Sequence, residues 1–469
     1  MELQLSPSSS FSSSSVDDTT DVVVTDAVVT DDETTVPENL KSSEKKALLE
    51  LRTMLEDAIL AGQLLRHPSH RHEKSKSRVA NSCSVNTSSV KEEEAEEDLS
   101  GVSLWGVPLL PSRKHESTDV ILLKFLRARE FKAAEALDMI RRTLRWRRDF
   151  GVDGMMTGED GADAAPPPPP QPPPQHLKRA AYIDGRDKEG HPVCYNIYGV
   201  FKDKDVYRQT FGDEERQEKF LRWRVQLMEQ GIKQMSLKPG GAAAILHIID
   251  FKDSLRPGMR ELRSATREIV SIMQDNYPEF VAKNIFLNVS FRYYAYHALF
   301  SPIITPRTRS KFIFARPAQV TETLLKFMTP ENIPVQYGGL RRGEDDDEFS
   351  AENERASELV IRGGGIGRIE IPILEPGVTV VWDITVVGWD VNYREEFIPE
   401  DEGSYKILIQ NEKKPEECIR NSFYISEPGK VVLTVENRTF KKKRVFYRSK
   451  SKPTIPLYDL LGQTQHPLM

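Results

Sequence analysis

Residues Ala242–Phe251 (AAAILHIIDF) form the longest apolar run of the chain, and this run constrains the fold more than any other segment. A short, almost continuous apolar stretch suits a central strand buried on both faces. It is far below the ~18 residues a membrane span needs. Strand-like and helix-like segments alternate around it. Pro192–Tyr198, Asn284–Val289 and Lys311–Ala315 read as strands, and Glu214–Met235, Pro257–Asn276, Phe291–Phe300 and Pro317–Phe327 as helices. Such alternation predicts a mixed or parallel sheet with helices packed against it, over residues 179–340.

The flanks differ in kind. Residues 1–100 are mostly polar and end in the acidic run Glu92–Asp98, so they are expected to stay disordered. The exception is a short helix over 43–60, where Leu48, Leu51, Leu55 and Ile59 share one face. Two helices are predicted over 105–150, the first capped by Thr118 and Asp119. The second carries Leu137, Ile140 and Leu144 inward and Arg141, Arg142, Arg145, Arg147 and Arg148 outward. Residues 151–178 are a Gly/Pro-rich insertion with proline almost continuous over Pro166–Pro174, a stiff solvated spacer. Beyond the acidic break Glu344–Glu348 the period changes to two. Val378, Val380, Trp382, Ile384 and Val386 alternate with a second row, and further short strands follow over 345–452, which predicts an all-β sandwich. Residues 453–469 are a tail.

The formal net charge is −6 and the three cysteines lie far apart, which excludes a basic nucleic-acid coat, a disulfide scaffold and a Cys-rich zinc site. The amino terminus lacks the basic and apolar regions of a secretory signal, so a soluble protein of a reducing compartment is expected. No catalytic motif is present: there is no nucleophile elbow, Walker loop or zinc-protease helix. Gly363–Gly367 leads into a strand and is expected to be a tight turn. His247 and Asp250, three apart on one strand, point to opposite faces and do not form a catalytic pair. No metal ligand set and no catalytic residue are assigned.

One segment has unusual chemistry. Residues 281–317 contain no acid, and Lys283, Arg292, Arg307, Arg309, Lys311 and Arg316 are interleaved with Phe286, Phe291, Tyr293, Tyr294, Tyr296, Phe300, Phe312 and Phe314. Bases beside large aromatics suit a lipid surface; a core unit with charged edges is the alternative.

The segments ILLKFLRAREFKAAEALDMIRRTLRWR (121–147), DKEGHPVCYNIYG (187–199), AILHIIDFKD (244–253), NYPEFVAKNIFLNV (276–289), SKFIF (310–314) and ENIPVQYGG (331–339) resemble, in order, the CRAL-TRIO lipid-binding proteins. Residues 345–450 resemble a GOLD domain, and the layout as a whole resembles that of the plant patellins. The resemblance implies an α/β lipid-binding domain with a helical cap and a C-terminal β sandwich. It implies binding of phosphatidylinositol or its phosphorylated forms in a hydrophobic cavity, with transfer or sensing at membranes, no cofactor other than the phospholipid ligand, and no catalysis. The family's headgroup residues fall on Glu279 and Lys311. The family's mobile gate falls on about 291–304, with Phe291, Tyr294 and Phe300 entering a membrane while Arg307 and Arg309 meet headgroups. Ile245 and His247 stand where members that bind phosphatidylcholine carry small hydroxyl residues, so weak exchange of that lipid is expected.

A role in membrane trafficking, including cell-plate formation in cytokinesis, and a cytoplasmic, peripheral-membrane location follow from the same resemblance. Partners would be phosphoinositide-containing membranes and proteins met through the GOLD domain, not nucleic acid. A GOLD-based scaffold and a carrier of a tocopherol-like lipid remain the alternatives. Lys441, Lys442, Lys443 and Arg444 lie in an acid-free basic stretch, expected at a sheet edge and either attaching to an anionic leaflet or protecting that edge.

Overall fold

A computed structural model describes residues 35–65, 101–157, 174–254, 259–290, 310–343, 349, 355–413, 415 and 418–454. All of them belong to one unit, 34–469. Helix α1 (Ser42–Leu60) buries the expected stripe, Leu48, Leu51, Leu55 and Ile59. It packs on α2 (Thr118–Ala128) and α3 (Ala133–Phe150), and Arg52 reaches Asp119 at 3.4 Å. This helix, placed by sequence in an otherwise disordered tail, is therefore part of the α/β unit. A small hairpin of β1 (Ser103–Leu104) and β2 (Val107–Pro108) precedes α2. Thr118 does not cap α2; its hydroxyl donates to the Pro108 carbonyl at 2.8 Å, fixing the hairpin to the helix instead.

Every residue from Val120 to Arg127 is buried, so α2 is enclosed on all sides. Arg147 departs from the outward row expected of it. It lies seven residues beyond Ile140 on the inward stripe of α3, is 4% exposed, and ion-pairs with Glu229 at 2.6 Å. Glu229 also accepts from the Tyr277 hydroxyl at 2.6 Å and the Trp105 indole at 3.2 Å, so the buried charge has donors on three sides. A short α4 (Val152–Thr157) follows.

The central sheet contains β3 (Ala181–Arg186), β4 (Pro192–Ile197), β5 (Ile245–Asp250), β6 (Val281–Leu287) and β7 (Phe312–Phe314), adjacent in that order. β3 is antiparallel to β4 and the remaining pairs are parallel. Helices α5 (Lys204–Phe211), α6 (Glu214–Lys233), α7 (Arg260–Asn276) and α8 (Val320–Phe327) complete the layers. On one face Val193, Tyr195, Leu246, Ile248, Ile285 and Leu287 form a core with Leu324, Ile333, Tyr337 and Leu340. On the other, α6 lies so close that a Cβ at Gly231 would meet Ile245 Cδ1 at 2.5 Å and Ile183 Cδ1 at 3.1 Å.

The expectation that β5 is buried on both faces holds only in part. Ile245 is covered by α6, but His247 and Ile249, farther along the same face, remain partly exposed. Asp250 points the opposite way, as the spacing requires, and accepts from the Tyr337 hydroxyl at 3.0 Å and Asn288 at 2.6 Å.

The C-terminal region comprises β8 (Ser357–Ile361), β9 (Ile366–Ile373), β10 (Val378–Val386), β11 (Asn392–Pro399), β12 (Ile407–Lys413), β13 (Ile419–Ile425), β14 (Gly429–Glu436) and β15 (Lys443–Pro453). They form two four-stranded antiparallel sheets, β13-β10-β15-β8 and β12-β11-β14-β9. Val380, Trp382, Ile384 and Val386 meet Tyr393, Phe397, Leu433 and Val435 between the sheets. The alternate row is buried too, because it faces the α/β domain. Val387 and Phe446 join the core around Leu340, and Thr385 donates to the Gly338 carbonyl at 3.1 Å. Asp383, fully buried, accepts from Arg420 at 2.6 and 2.7 Å and from Arg448 at 2.8 and 2.9 Å.

β15 pairs with β8 over Lys443–Tyr447 and with β10 over Val445–Pro453, so the basic stretch is flanked on both sides in its middle and ends, from Arg448 onward, with one side unpaired. The glycine-rich segment is the turn expected of it, with Gly364 at φ +69 just before β9.

Candidate functional site

α7 ends at Asn276, and the chain must reverse within a few residues to enter β6. Glu279 makes that reversal in the left-handed region, at φ +56, an uncommon place for a residue with a side chain. The next residue, Phe280, is fully buried and anchors the turn. Lys311 sits at the mouth of β7, held by a 2.7 Å bond from the Asn284 amide to its carbonyl. The two side chains meet: Lys311 Nζ lies 2.7 Å from Glu279 Oε2, with side chains 17% and 20% exposed. Lys311 is also 3.4 Å from the Val281 carbonyl. The ammonium and carboxylate thus form a half-buried pair at the amino-terminal ends of β6 and β7.

A third residue supports this pair and was not singled out from the sequence. Lys124 is 4% exposed on α2 and donates to the Ala243 carbonyl at 2.6 Å and the Glu279 carbonyl at 2.8 Å. Its ammonium also lies 4.2 Å from the centre of the Phe280 ring. The signal was a lone lysine inside VILLKFL, a cation with an apolar neighbour on every side.

Beyond the pair, the same sheet face presents Ile249, Phe251, Phe286, Phe312 and Phe314, all half-buried. Phe286 stacks on Phe314 at 4.9 Å and on Phe251 at 5.9 Å, and meets the Phe312 edge at 5.8 Å. This is an apolar floor broad enough to take hydrocarbon. Between floor and α6 stand Asn196, Arg224, His247 and Asn284. Arg224 Nη2 donates to Asn196 Oδ1 at 2.6 Å. Burial, then the Arg224 charge, push the His247 imidazole down to about 4 despite a hydrogen bond to Asn284, so it is neutral near pH 7.

The gate residues Phe291, Tyr294, Phe300, Arg307 and Arg309 lie outside the described residues. Lys441 and Lys442 are exposed. Lys443 donates to the Gly388 carbonyl at 2.9 Å, and Arg444 pairs with Glu358 at 2.6 and 3.1 Å. The four bases therefore do not project as one strip.

A cleft of about 730 Å³ opens between α6 and β3, lined by Lys178, Asp184, Gln226, Gln230 and Arg341 among others. It contains neither Glu279 nor Lys311, and its lining mixes those polar groups with Ile183, Trp223, Leu227 and Val335. Asp187, Glu189 and His191 bring potential metal-ligand atoms within 4.8 Å. Asp187, however, accepts from the Glu189 and His191 amides at 2.9 and 2.8 Å and shares a 2.8 Å bond with the His191 ring, so its oxygens close the β3–β4 turn.

Residues 177–339 match the family described as "CRAL/TRIO domain", 87–142 "CRAL/TRIO, N-terminal domain", and 362–443 "Patellin-1-like, C-terminal GOLD domain". Patellin-4 of Arabidopsis thaliana is 50% identical over 354 residues, 75% of this chain and 62% of that protein's length. The chain thus spans less than two thirds of Patellin-4. Patellin-3 of Arabidopsis thaliana is 39% identical over 421 residues, 88% of this chain and 76% of that protein. A protein named Phosphatidylinositol transfer protein SFH5, from Cryptococcus neoformans, is 29% identical over 253 residues, 50% of this chain and 79% of that protein. With the three regions matched in order and 76% of Patellin-3 covered, the chain belongs to the patellin family.

Proposed function

We propose that this protein binds a phosphatidylinositol-class lipid on the open half of the central sheet and carries or senses it at phosphoinositide-containing membranes. The observation that carries the reading is the Glu279–Lys311 pair, 2.7 Å apart, beside the half-buried floor of Phe286, Phe312 and Phe314. A carboxylate accepts from inositol hydroxyls and an ammonium pairs with phosphate, while the phenylalanines take the acyl chains. Removing two acyl chains from a bilayer costs about 0.8 kcal/mol per methylene, so a carrier needs a broad apolar surface to offset it. The name of the fungal relative, a phosphatidylinositol transfer protein, supports the same lipid class.

No helix among the described residues is long and apolar enough to cross a membrane. Reversible contact with the bilayer through the protein surface, as a peripheral membrane protein of the cytoplasm, belongs to the proposed reading. A role in membrane trafficking, including cell-plate formation, and protein partners met through the GOLD domain belong to this reading. The site supplies recognition and no catalytic group.

The test is mass spectrometry of lipid co-purifying with the full chain, alongside the Glu279→Ala/Lys311→Ala double variant. Phosphatidylinositol in the wild type, strongly reduced in the variant, is expected. Equal loading of both would overturn the headgroup assignment, a tocopherol-like ligand would replace the lipid class, and empty protein would favour the GOLD scaffold.

A further inference from the structure

Arg224 is a cation in an apolar setting with little to balance it. It projects from α6 over the sheet, half-buried. Its guanidinium makes one hydrogen bond, to Asn196, and lies 5.7 Å from the Trp223 ring, with no ion pair among the described residues. A guanidinium has five N–H donors, and a desolvated one is normally paired. Asn196 cannot supply the missing charge. It is 6% exposed, and its amide nitrogen is committed to the Ile248 carbonyl at 3.3 Å, which turns its oxygen toward Arg224.

His247 completes the row, aligned across the strands with Cys194 on one side and Asn284 on the other. Among the described residues, the charged group acting on the His247 ring is Arg224. The cluster therefore carries one positive charge and no carboxylate. It stands directly before the apolar row Ile249, Phe286 and Phe314. It is also separate from the Glu279–Lys311 pair. Arg224 is tied to β4 and Lys311 opens β7, three strand spacings away, or roughly 14 Å.

We propose that Arg224, Asn196, His247 and Asn284 form a second subsite on this face of the sheet. It takes the single anionic group of an amphiphile, a carboxylate or a phosphodiester, whose hydrocarbon chain runs along Phe286 and Phe314. One net positive charge suits one negative charge. A zwitterionic choline headgroup would leave its own cation opposite Arg224, and Ile245 offers it no hydroxyl. The proposal rests on the reading that this face holds lipid.

The test incubates the full chain with phosphatidylcholine vesicles doped separately with oleate, phosphatidylglycerol, oleyl alcohol or phosphatidylinositol. Lipid on the re-isolated protein is then counted by mass spectrometry. Wild type should retain oleate, phosphatidylglycerol or both at least about tenfold over oleyl alcohol. Oleate alone identifies a carboxylate site, and phosphatidylglycerol alone a phosphodiester site. Arg224→Gln should abolish this preference, and Arg224→Lys, which keeps the charge, should retain part of it.

If wild type shows no preference for the anions while still loading phosphatidylinositol, this proposal fails and the broader lipid reading stands. If no lipid is retained at all, both fail. Retention of anions by Arg224→Gln at the wild-type level also overturns the subsite. Should that variant not fold, judged by circular dichroism, the wild-type preference and Arg224→Lys decide the question.

Discussion

Replacing Lys124 by methionine tests whether the headgroup pair is held from behind. Methionine keeps the length and apolar stem of the side chain and removes only the ammonium. The native ammonium makes bonds of 2.6 Å to the Ala243 carbonyl and 2.8 Å to the Glu279 carbonyl, inside a site where Lys124 is 4% exposed. Hydrogen bonds to a charged group are worth about 1.5–3 kcal/mol each, so two are worth roughly 3–6 kcal/mol gross. Relief of the buried charge offsets part of this, leaving an expected loss of about 2–4 kcal/mol. The loss is concentrated on the peptide of Glu279, which sits at φ +56 and depends on its surroundings to stay there.

The Glu279 carboxylate should then wander from Lys311, and retention of phosphatidylinositol should fall by at least about tenfold, equivalent to ~1.4 kcal/mol of binding. Urea unfolding followed by tryptophan fluorescence measures the stability term. Lipid retention after vesicle incubation measures the positioning term. If the folded variant retained lipid within about twofold of wild type, Lys124 would be a core residue only, and the argument that it orders the site would be wrong.

Other perturbations separate the remaining parts. Asp383→Asn leaves Arg420 and Arg448 facing a neutral amide in a fully buried site; a loss of about 3–5 kcal/mol is expected, seen in urea unfolding together with faster proteolysis between the domains. His247 is held near 4 by burial, below its ordinary 6.5, so the unfolded chain protonates first as pH falls. Its contribution is therefore complete above pH 6.5 and lost progressively toward pH 4, by up to about 3 kcal/mol, and His247→Asn should flatten thermal stability across that window. Lys441→Gln with Lys442→Gln should weaken co-sedimentation of the full chain with anionic liposomes at low salt, whereas Arg444→Gln should chiefly destabilise the β8–β15 pairing through Glu358; equal liposome binding by the lysine pair and wild type would remove those two residues from any membrane contact.

The parts legible in the sequence are those where one pattern has one structural outcome. The period-two row of Val380, Trp382, Ile384 and Val386 became the inner face of a sandwich. The stripe of Leu48, Leu51, Leu55 and Ile59 became a buried helix face, although its packing on α2 and α3 depended on contacts far along the chain. Strand β3 escaped detection because Asp184, Gly185 and Arg186 break its apolar pattern, and Asp184 is satisfied by Arg341, distant in sequence. Arg147 misled for a related reason. An arginine on a helix looks solvated until a carboxylate on another helix, here Glu229, is placed against it. Glu279 and Lys311 emerged through likeness of short segments, but their contact depends on β6 and β7 being neighbours, which no local pattern encodes.

The two faces of the central sheet have divergent environments, and the face proposed for lipid is the one the β sandwich does not cover. One face is closed twice over: α8 and residues 333–340 pack against Leu246, Ile248 and Leu287, and the β sandwich adds Val387 and Phe446 to the same core. Asp383, Arg420 and Arg448 bind that arrangement with charge, and Arg448 reaches across to the Leu340 carbonyl at 2.9 Å. A ligand entering there would have to separate two domains. The opposite face needs no such step. Among the described residues its cover stops at Ile245, and the phenylalanine floor continues past it with the polar groups of Arg224 on one side and Lys311 on the other. The sandwich is docked on the first face, so in the proposed reading a membrane that meets the phenylalanine floor meets the α/β domain and not the sandwich.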